Sequence, residues 1–244
     1  MPAQTVHEQV AWASRILAMD GHGDFTLGHV SAREADKVHM KRNGIGLEEV
    51  CPQDVLTIDL DGNKVSGEGS IHLEAVLHTA VYRLRSDVGA VIHTHPPYTT
   101  AFGATGASLQ LINHDAVLFH GGIAYFDDTA ELIVRQDQGD AVARALGDKR
   151  VVIMRGHGVL VAERSIPWAV YTALTLERVI RLQTIASTLG ELRPMSADMA
   201  ASVYPDKYRD EFVDTYWRYL IRQLRRFSLD DGMDGLLESE TFHA

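Results

Sequence analysis

The stretch VIHTHPPYTT, Val91–Thr100, puts two histidines two residues apart at the end of an apolar run and closes the run with two prolines. VGAVIHTH reads as a buried strand, and side chains at i and i+2 of a strand project to one face, so His93 and His95 present both imidazoles to one point. Pro96 and Pro97 end the strand and open a short helix, whose first turn has no use for the missing N–H groups. Open α/β sheets collect their sites at such strand ends. An H-x-H pair alone is a weak sign of a metal, and a third imidazole strengthens it. His157 lies between two glycines where VVIM turns into GVLVA, a place where the backbone approaches closely and the ring can point into a cleft. Three histidines leave a divalent ion with open positions, as in catalytic rather than structural centres.

Working outward, Leu73, Leu77, Val81 and Leu84 mark one face of a helix whose first turn is predicted at Ser70. Glu74 and His78 stand four apart on it. Taken alone they read as a surface i,i+4 pair; beside three histidines, Glu74 is either a fourth ligand or the acid/base next to the ion. Upstream, Thr5 caps an amphipathic helix, VHM around His39 is a strand, and VLTIDLDGNKV from Val55 is a strand that turns at Asp61-Gly62. Downstream, AVARAL is a helix and a long helix runs from Ser165 to about Leu189. Residues 197–227 are helical, with Phe212, Tyr216 and Tyr219 as a stripe suited to core or subunit packing. An acidic tail follows Ser228, and residues 1–244 read as one domain.

Composition narrows the classes. At 45% hydrophobic and 23% charged the chain is that of an ordinary globular protein, and no apolar run approaches the ~20 residues that cross a bilayer, so no membrane partner is expected. A net charge of -10 disfavours nucleic acid, whose binding rests on phosphate neutralisation. One cysteine, Cys51, and a start without a secretory pattern lead to the expectation of a cytoplasmic protein.

The run from Asp54 to Tyr98, with DLDG, E-x-x-x-H and RSDVGAVIHTHPPY, together with RGHGVLVAER and GHVSAR, resembles the class II aldolase/adducin family over roughly residues 5–190. The resemblance implies an α/β fold of three αβα layers around a mostly antiparallel sheet. It also implies a metal on His93, His95 and His157, a catalytic carboxylate at Glu74, and a fourfold-symmetric homotetramer with sites at subunit interfaces. Zinc suits imidazole ligands best, and manganese, cobalt and iron are compatible.

Sugar-phosphate aldolases of that family hold phosphate with an asparagine in the first motif and hydroxyl residues before the glutamate. Here His29 follows Gly28 in the first motif, and His72 and Leu73 stand after Ser70, with Glu68 nearby to repel a phosphate. The expected substrate is a small non-phosphorylated molecule. Its carboxylate or hydroxyl is expected to meet His29, His72 and the helix start at Ser70, with Asn43-Gly44 as a residual anion turn. The pattern is similar to family members that decarboxylate hydroxylated ring carboxylates. It leads to a metal-dependent carbon–carbon lyase working through a metal-stabilised enolate, decarboxylation favoured over retro-aldol cleavage, with a non-catalytic adducin-head-like assembly module as the contrasting reading. None of the lysines, Lys41 included, reads as buried, so a Schiff base is not expected.

Overall fold

The structure, a computed structural model, describes residues 4–227, 229, 230, 232 and 233. His243 and most of the acidic tail lie outside the described residues. Thr5 starts helix α1 (Val6–Leu17) by accepting the Glu8 N–H, and the Glu8 carboxylate accepts the Thr5 N–H in return. This reciprocal pair satisfies two amides that a helix start leaves unbonded.

Strands β1 (His29–Glu34), β2 (Lys37–Lys41), β3 (Val55–Asp59), β4 (Lys64–Ser66), β5 (Ala90–Thr94), β6 (Ala124–Phe126), β7 (Val151–Met154) and β8 (Gly158–Glu163) form one sheet. Its order is β4, β3, β2, β1, β5, β8, β7, β6, and every pairing is antiparallel except that of β6 with β7. The turn predicted at Asp61-Gly62 joins β3 to β4, where Asp59 Oδ1 accepts the N–H groups of Asp61 and Asn63.

The remaining helices are α2 (Ala75–Leu84), α3 (Pro97–Gly103), α4 (Gln136–Leu146), α5 (Ile166–Leu189), α6 (Ala197–Lys207) and α7 (Asp210–Arg226). The sheet separates two cores. Ala90 and Ile92 of β5 pack with α1 and α5, whereas Val91 packs with Leu77 and Val81 of α2 and Val142 of α4. This alternation is the strand period of two, and each fully buried aliphatic side chain contributes ~1.5–3 kcal/mol. The three-layer αβα architecture is the one expected. It also sets the site's address: His93 follows Val91 on the α2 side, and antiparallel register places His29 opposite His93 and Ser31 opposite Val91.

Three expectations change. Helix α2 begins at Ala75 with Glu74 as its N-cap, so the helix start is not at Ser70; Leu73 lies before the helix and is 63% exposed. Phe212, Tyr216 and Tyr219 are each more than two-fifths exposed, so of core and subunit packing the first is excluded for this stripe.

Lys41 is fully buried at the end of β2, contrary to its sequence reading, with its ammonium donating to the carbonyls of Thr26 and Gly28 at 3.0 Å each. Burial pushes its pKa down from 10.5 to about 8. An unfolded chain therefore binds more protons than the folded one between these values, and stability rises with pH across that window. The cost of the buried ammonium is fully present below pH 8 and amounts to about 3 kcal/mol. Relative to Lys41→Met, the wild-type chain should gain up to that amount between pH 7.5 and 10.5 in urea unfolding. A pH-independent difference would mean that the ammonium is solvated.

Candidate active site

Two separate segments bring the predicted histidines together. His93 is the next-to-last residue of β5, and His95 follows the strand just before α3. The first amides of α3 are capped from across the core, Tyr98 N–H and Thr99 N–H each donating to the Glu177 carboxylate at 2.8 Å. That bond pins the chain as it leaves the strand. His157 sits on the tight turn between β7 and β8. The next residue must be glycine, because a Cβ on Gly158 would lie 2.3 Å from His95 Cδ2 and 2.7 Å from the Thr94 carbonyl.

Each strand histidine is oriented through its Nδ1. His93 Nδ1–H donates to the Val159 carbonyl at 2.9 Å, and His95 Nδ1–H donates to Asp24 Oδ2 at 3.2 Å. A neutral ring that donates through Nδ1 carries a lone pair on Nε2. The two Nε2 atoms face each other 3.1 Å apart. Burial first, then the neighbouring rings of His93 and His157, push the His95 pKa down to about 4, so the ring is neutral at physiological pH. Two lone pairs at this separation repel unless a cation lies between them. His157 completes a set whose ligand atoms all fall within 4.8 Å of one another. These donors fit a divalent ion of the zinc type.

Glu74 is 2% exposed and reaches into the same space from the start of α2. Its Oε1 accepts the Ile133 N–H at 3.1 Å and lies 3.3 Å from His157 Nε2; its Oε2 lies 3.5 Å from His93 Nε2. Burial pushes this carboxyl up, but contacts with His157, His29 and His93 outweigh burial and hold it well below the usual carboxylate range. Glu74 and His78 are both buried and do not form the surface pair that their spacing alone suggests.

A cleft of about 640 Å³ opens over Glu74, His95 and His157. His72 and Asn43 line it with polar groups, and Leu27, Leu73, Pro97 and Leu132 give it an apolar wall. His72 accepts the Glu74 N–H through Nδ1 at 3.4 Å, and burial followed by the Lys41 charge pushes its pKa down to about 4.

The other predicted contacts are placed differently. His29 is fully buried and is not among the residues lining the cleft; it stands behind Glu74 with its ring 4.0 Å from that of His72. Ser70 is exposed, and its carbonyl accepts the Asn43 N–H. Gly44 makes the turn after Asn43 with φ +86°, and Gly28, at φ +75°, supplies a carbonyl to Lys41. Glu68 is exposed and does not line the cleft, so repulsion by that residue is no argument against phosphate. Tyr204 and Tyr208 have their hydroxyls engaged within the chain, by Arg150 and by the Asp115 carbonyl. His114 is a surface residue beside Lys207.

Asp24 escaped the sequence reading, although an acid inside the glycine-punctuated GHGDF is a signal that could have found it. A carboxylate on the far nitrogen of a ligand histidine fixes the tautomer and raises its basicity. Asp24→Asn should lower metal affinity about 10–100-fold in a chelator competition titration with the fold intact. Unchanged affinity would show that the contact plays no part in orienting His95.

Fold and site together define an αβα protein with three histidines and one buried carboxylate at the end of its central strand. Residues 8–184 match the Class II Aldolase and Adducin N-terminal domain. The chain belongs to that family. It is 31% identical over 236 residues to a 3,4-dihydroxyphthalate decarboxylase of Arthrobacter keyseri, covering 89% of this chain and 93% of the relative. It is 28% identical over 166 residues to an L-fuculose phosphate aldolase of Methanococcus maripaludis, covering 66% of this chain and 87% of the relative. Among solved structures it is similar to an aldolase II superfamily protein from Pseudomonas syringae, with TM-score 0.82 and 28% identity over 92% of this chain and 94% of the other.

Proposed function

We propose that the protein is a divalent-metal-dependent carbon–carbon lyase that decarboxylates a small non-phosphorylated hydroxy acid, a hydroxylated aromatic carboxylate being the substrate class that fits best. The observation that carries this reading is the pair of His93 and His95 Nε2 lone pairs facing each other at 3.1 Å, with His157 and Glu74 beside them. His93, His95 and His157 would hold the ion, zinc first among the candidates. Such an ion supplies a Lewis acid for the negative charge that develops on a substrate oxygen.

The chain's own groups account for the rest. Glu74, ionised and held by the Ile133 N–H, takes the proton of the substrate hydroxyl and delivers it to the carbon that loses its carboxylate. The bond between that carbon and the carboxylate breaks, carbon dioxide leaves, and the electron pair closes onto the carbon framework; solvent returns a proton to the oxygen. His72 and Asn43 offer donors to a carboxylate, and the nearby Lys41 ammonium favours an anion in the cleft. Leu27, Leu73 and Leu132 suit a flat apolar ring better than a polyhydroxylated chain. The decarboxylase relative supports the same choice.

One domain, a cytoplasmic location and a fourfold tetramer with sites between subunits belong to this reading. Among the described residues no helix is long and apolar enough to cross a membrane. Leu73 and Leu132, at the cleft, are 63% and 50% exposed, as surfaces covered by a neighbouring subunit would be.

The test is to load the protein separately with zinc, manganese, cobalt and iron and to incubate it with 3,4-dihydroxyphthalate, related hydroxybenzoates and L-fuculose 1-phosphate. Carbon dioxide from an aromatic acid, without aldehyde from the sugar phosphate, is the expected result. Aldehyde from the sugar phosphate alone would establish the aldolase, and no turnover with any ion would favour the assembly module.

A further inference from the structure

Behind Glu74, away from the cleft, the α2 side of the sheet carries a run of buried polar groups that the proposed chemistry does not use. His29 and Ser31 are two apart on β1, and His78 and Tyr82 are four apart on α2. Two strand residues span about 6.6 Å and four helical residues about 6 Å, so the two pairs lie side by side. His29 Nδ1 is 2.6 Å from His78 Nε2, His78 Nδ1 is 2.6 Å from Ser31 Oγ, and Ser31 Oγ is 2.8 Å from the Tyr82 hydroxyl. All four residues are at most 2% exposed. The run ends at His29 Nε2, which has no hydrogen-bond partner and lies 3.7 Å from Glu74 Oε2.

We infer that His29 is a positioning residue: hydrogen bonds running one way from Tyr82 through Ser31 and His78 fix its ring with Nε2–H aimed at Glu74, a donor that remains when His93 and His157 give their lone pairs to a cation.

The direction follows from the end groups. Neutral imidazole has one N–H and one lone pair, so each ring passes the polarity on. Both rings are fully buried, which disfavours the charged form, and each bonds a neighbour through Nδ1 or Nε2 within the run. If Tyr82 donates to Ser31, Ser31 donates to His78 Nδ1, His78 Nε2–H donates to His29 Nδ1, and an N–H faces the carboxylate. Reversed, the run sets the buried His29 lone pair against the ionised Glu74 carboxylate 3.7 Å away, the costlier arrangement. At 3.7 Å the last contact is too long for a hydrogen bond, and less than 1 Å of carboxylate movement would close it, as catalytic contacts often tighten on substrate binding. The same polarity leaves His29 without a lone pair for a second ion between His29, His72 and Glu74, a trio that geometry alone would allow.

The inference rests on Glu74 as the proton carrier, but its first readout does not depend on activity. Long-range proton–nitrogen correlation spectra of the histidine-labelled full chain, assigned with His29→Gln, report which ring nitrogen carries the proton. The expected result is Nε2–H on both His29 and His78, with the His78 preference lost in Ser31→Ala. One ion per chain is expected in both wild type and His29→Phe. In turnover, His29→Phe should lose about 10–100-fold in kcat with KM little changed, and His29→Gln, which keeps an N–H near the Nε2 position, should recover most of it. Nδ1–H on His29, or a second ion that His29→Phe removes, would overturn the inference. The wild-type spectrum decides even if the phenylalanine variant fails to fold. Absence of turnover in every variant would count against the lyase reading while the spectrum still settles the polarity.

Discussion

Replacing His157 with alanine should strip the protein of its metal and lower turnover by about three orders of magnitude or more, equivalent to about 4 kcal/mol of barrier. His157 is the informative ligand to remove because it sits on the β7–β8 turn with its side chain partly open to the cleft, and neither core depends on it. His93 is fully buried, so its loss would mix a ligand effect with a packing defect. Two remaining imidazoles retain a divalent ion poorly, and metal per chain after dialysis should fall well below one by elemental analysis while the unfolding midpoint of the apo protein changes little. Full retention of one ion at unchanged affinity would move the centre away from His157, and the adjacent His29, His72 and Glu74 would become the place to look.

Glu74→Gln is expected to keep the metal and lose the reaction. Glutamine matches the carboxylate in shape and still accepts the Ile133 N–H through its amide oxygen, but it cannot carry a proton. Removing a positioned acid/base costs about 10²–10⁴-fold in rate, roughly 3–5 kcal/mol. The fall should appear in kcat, with substrate binding measured by calorimetry nearly unchanged. With a cation on His93 and His157, the proton affinity of Glu74 is set by burial, which raises it, against the Ile133 N–H and the ion's charge, which lower it. Glu74 must be ionised to take the proton of the substrate hydroxyl, so kcat should fall on the acid side as Glu74 is protonated, and this acid limb should disappear in the glutamine variant. An intact acid limb would assign the proton transfer to another group.

Much of this centre was legible in the chain. The period of two through VGAVIHTH, the proline stop and the glycine-flanked His157 are local patterns whose consequences follow from backbone geometry, and the structure brings His93, His95 and His157 together. The leucine spacing extends backward through Leu73, whereas Gly69 at φ +95° and a turn at Leu73–Glu74, closed by the Ala75 N–H on the His72 carbonyl, delay α2 to Ala75. Lys41 was misread for a different reason. A lysine closing a short strand ordinarily faces water, and this one is buried only because the carbonyls of Thr26 and Gly28, 15 and 13 residues earlier, receive its ammonium.

The sequence by itself determined the residue types able to hold a cation and the strand and turn that present them, because each is encoded within a few neighbouring residues, while the layered architecture was implied by the family resemblance over roughly residues 5–190. Only the tertiary structure decided that Asp24 orients His95 from 71 positions away, that His29 stands behind Glu74 rather than in the cleft, and that His78 joins it from 49 positions away. Those pairings depend on the register of β1 against β5 and the seating of α2 on the sheet. Both are fixed by the burial of whole faces, which no local stretch of sequence specifies.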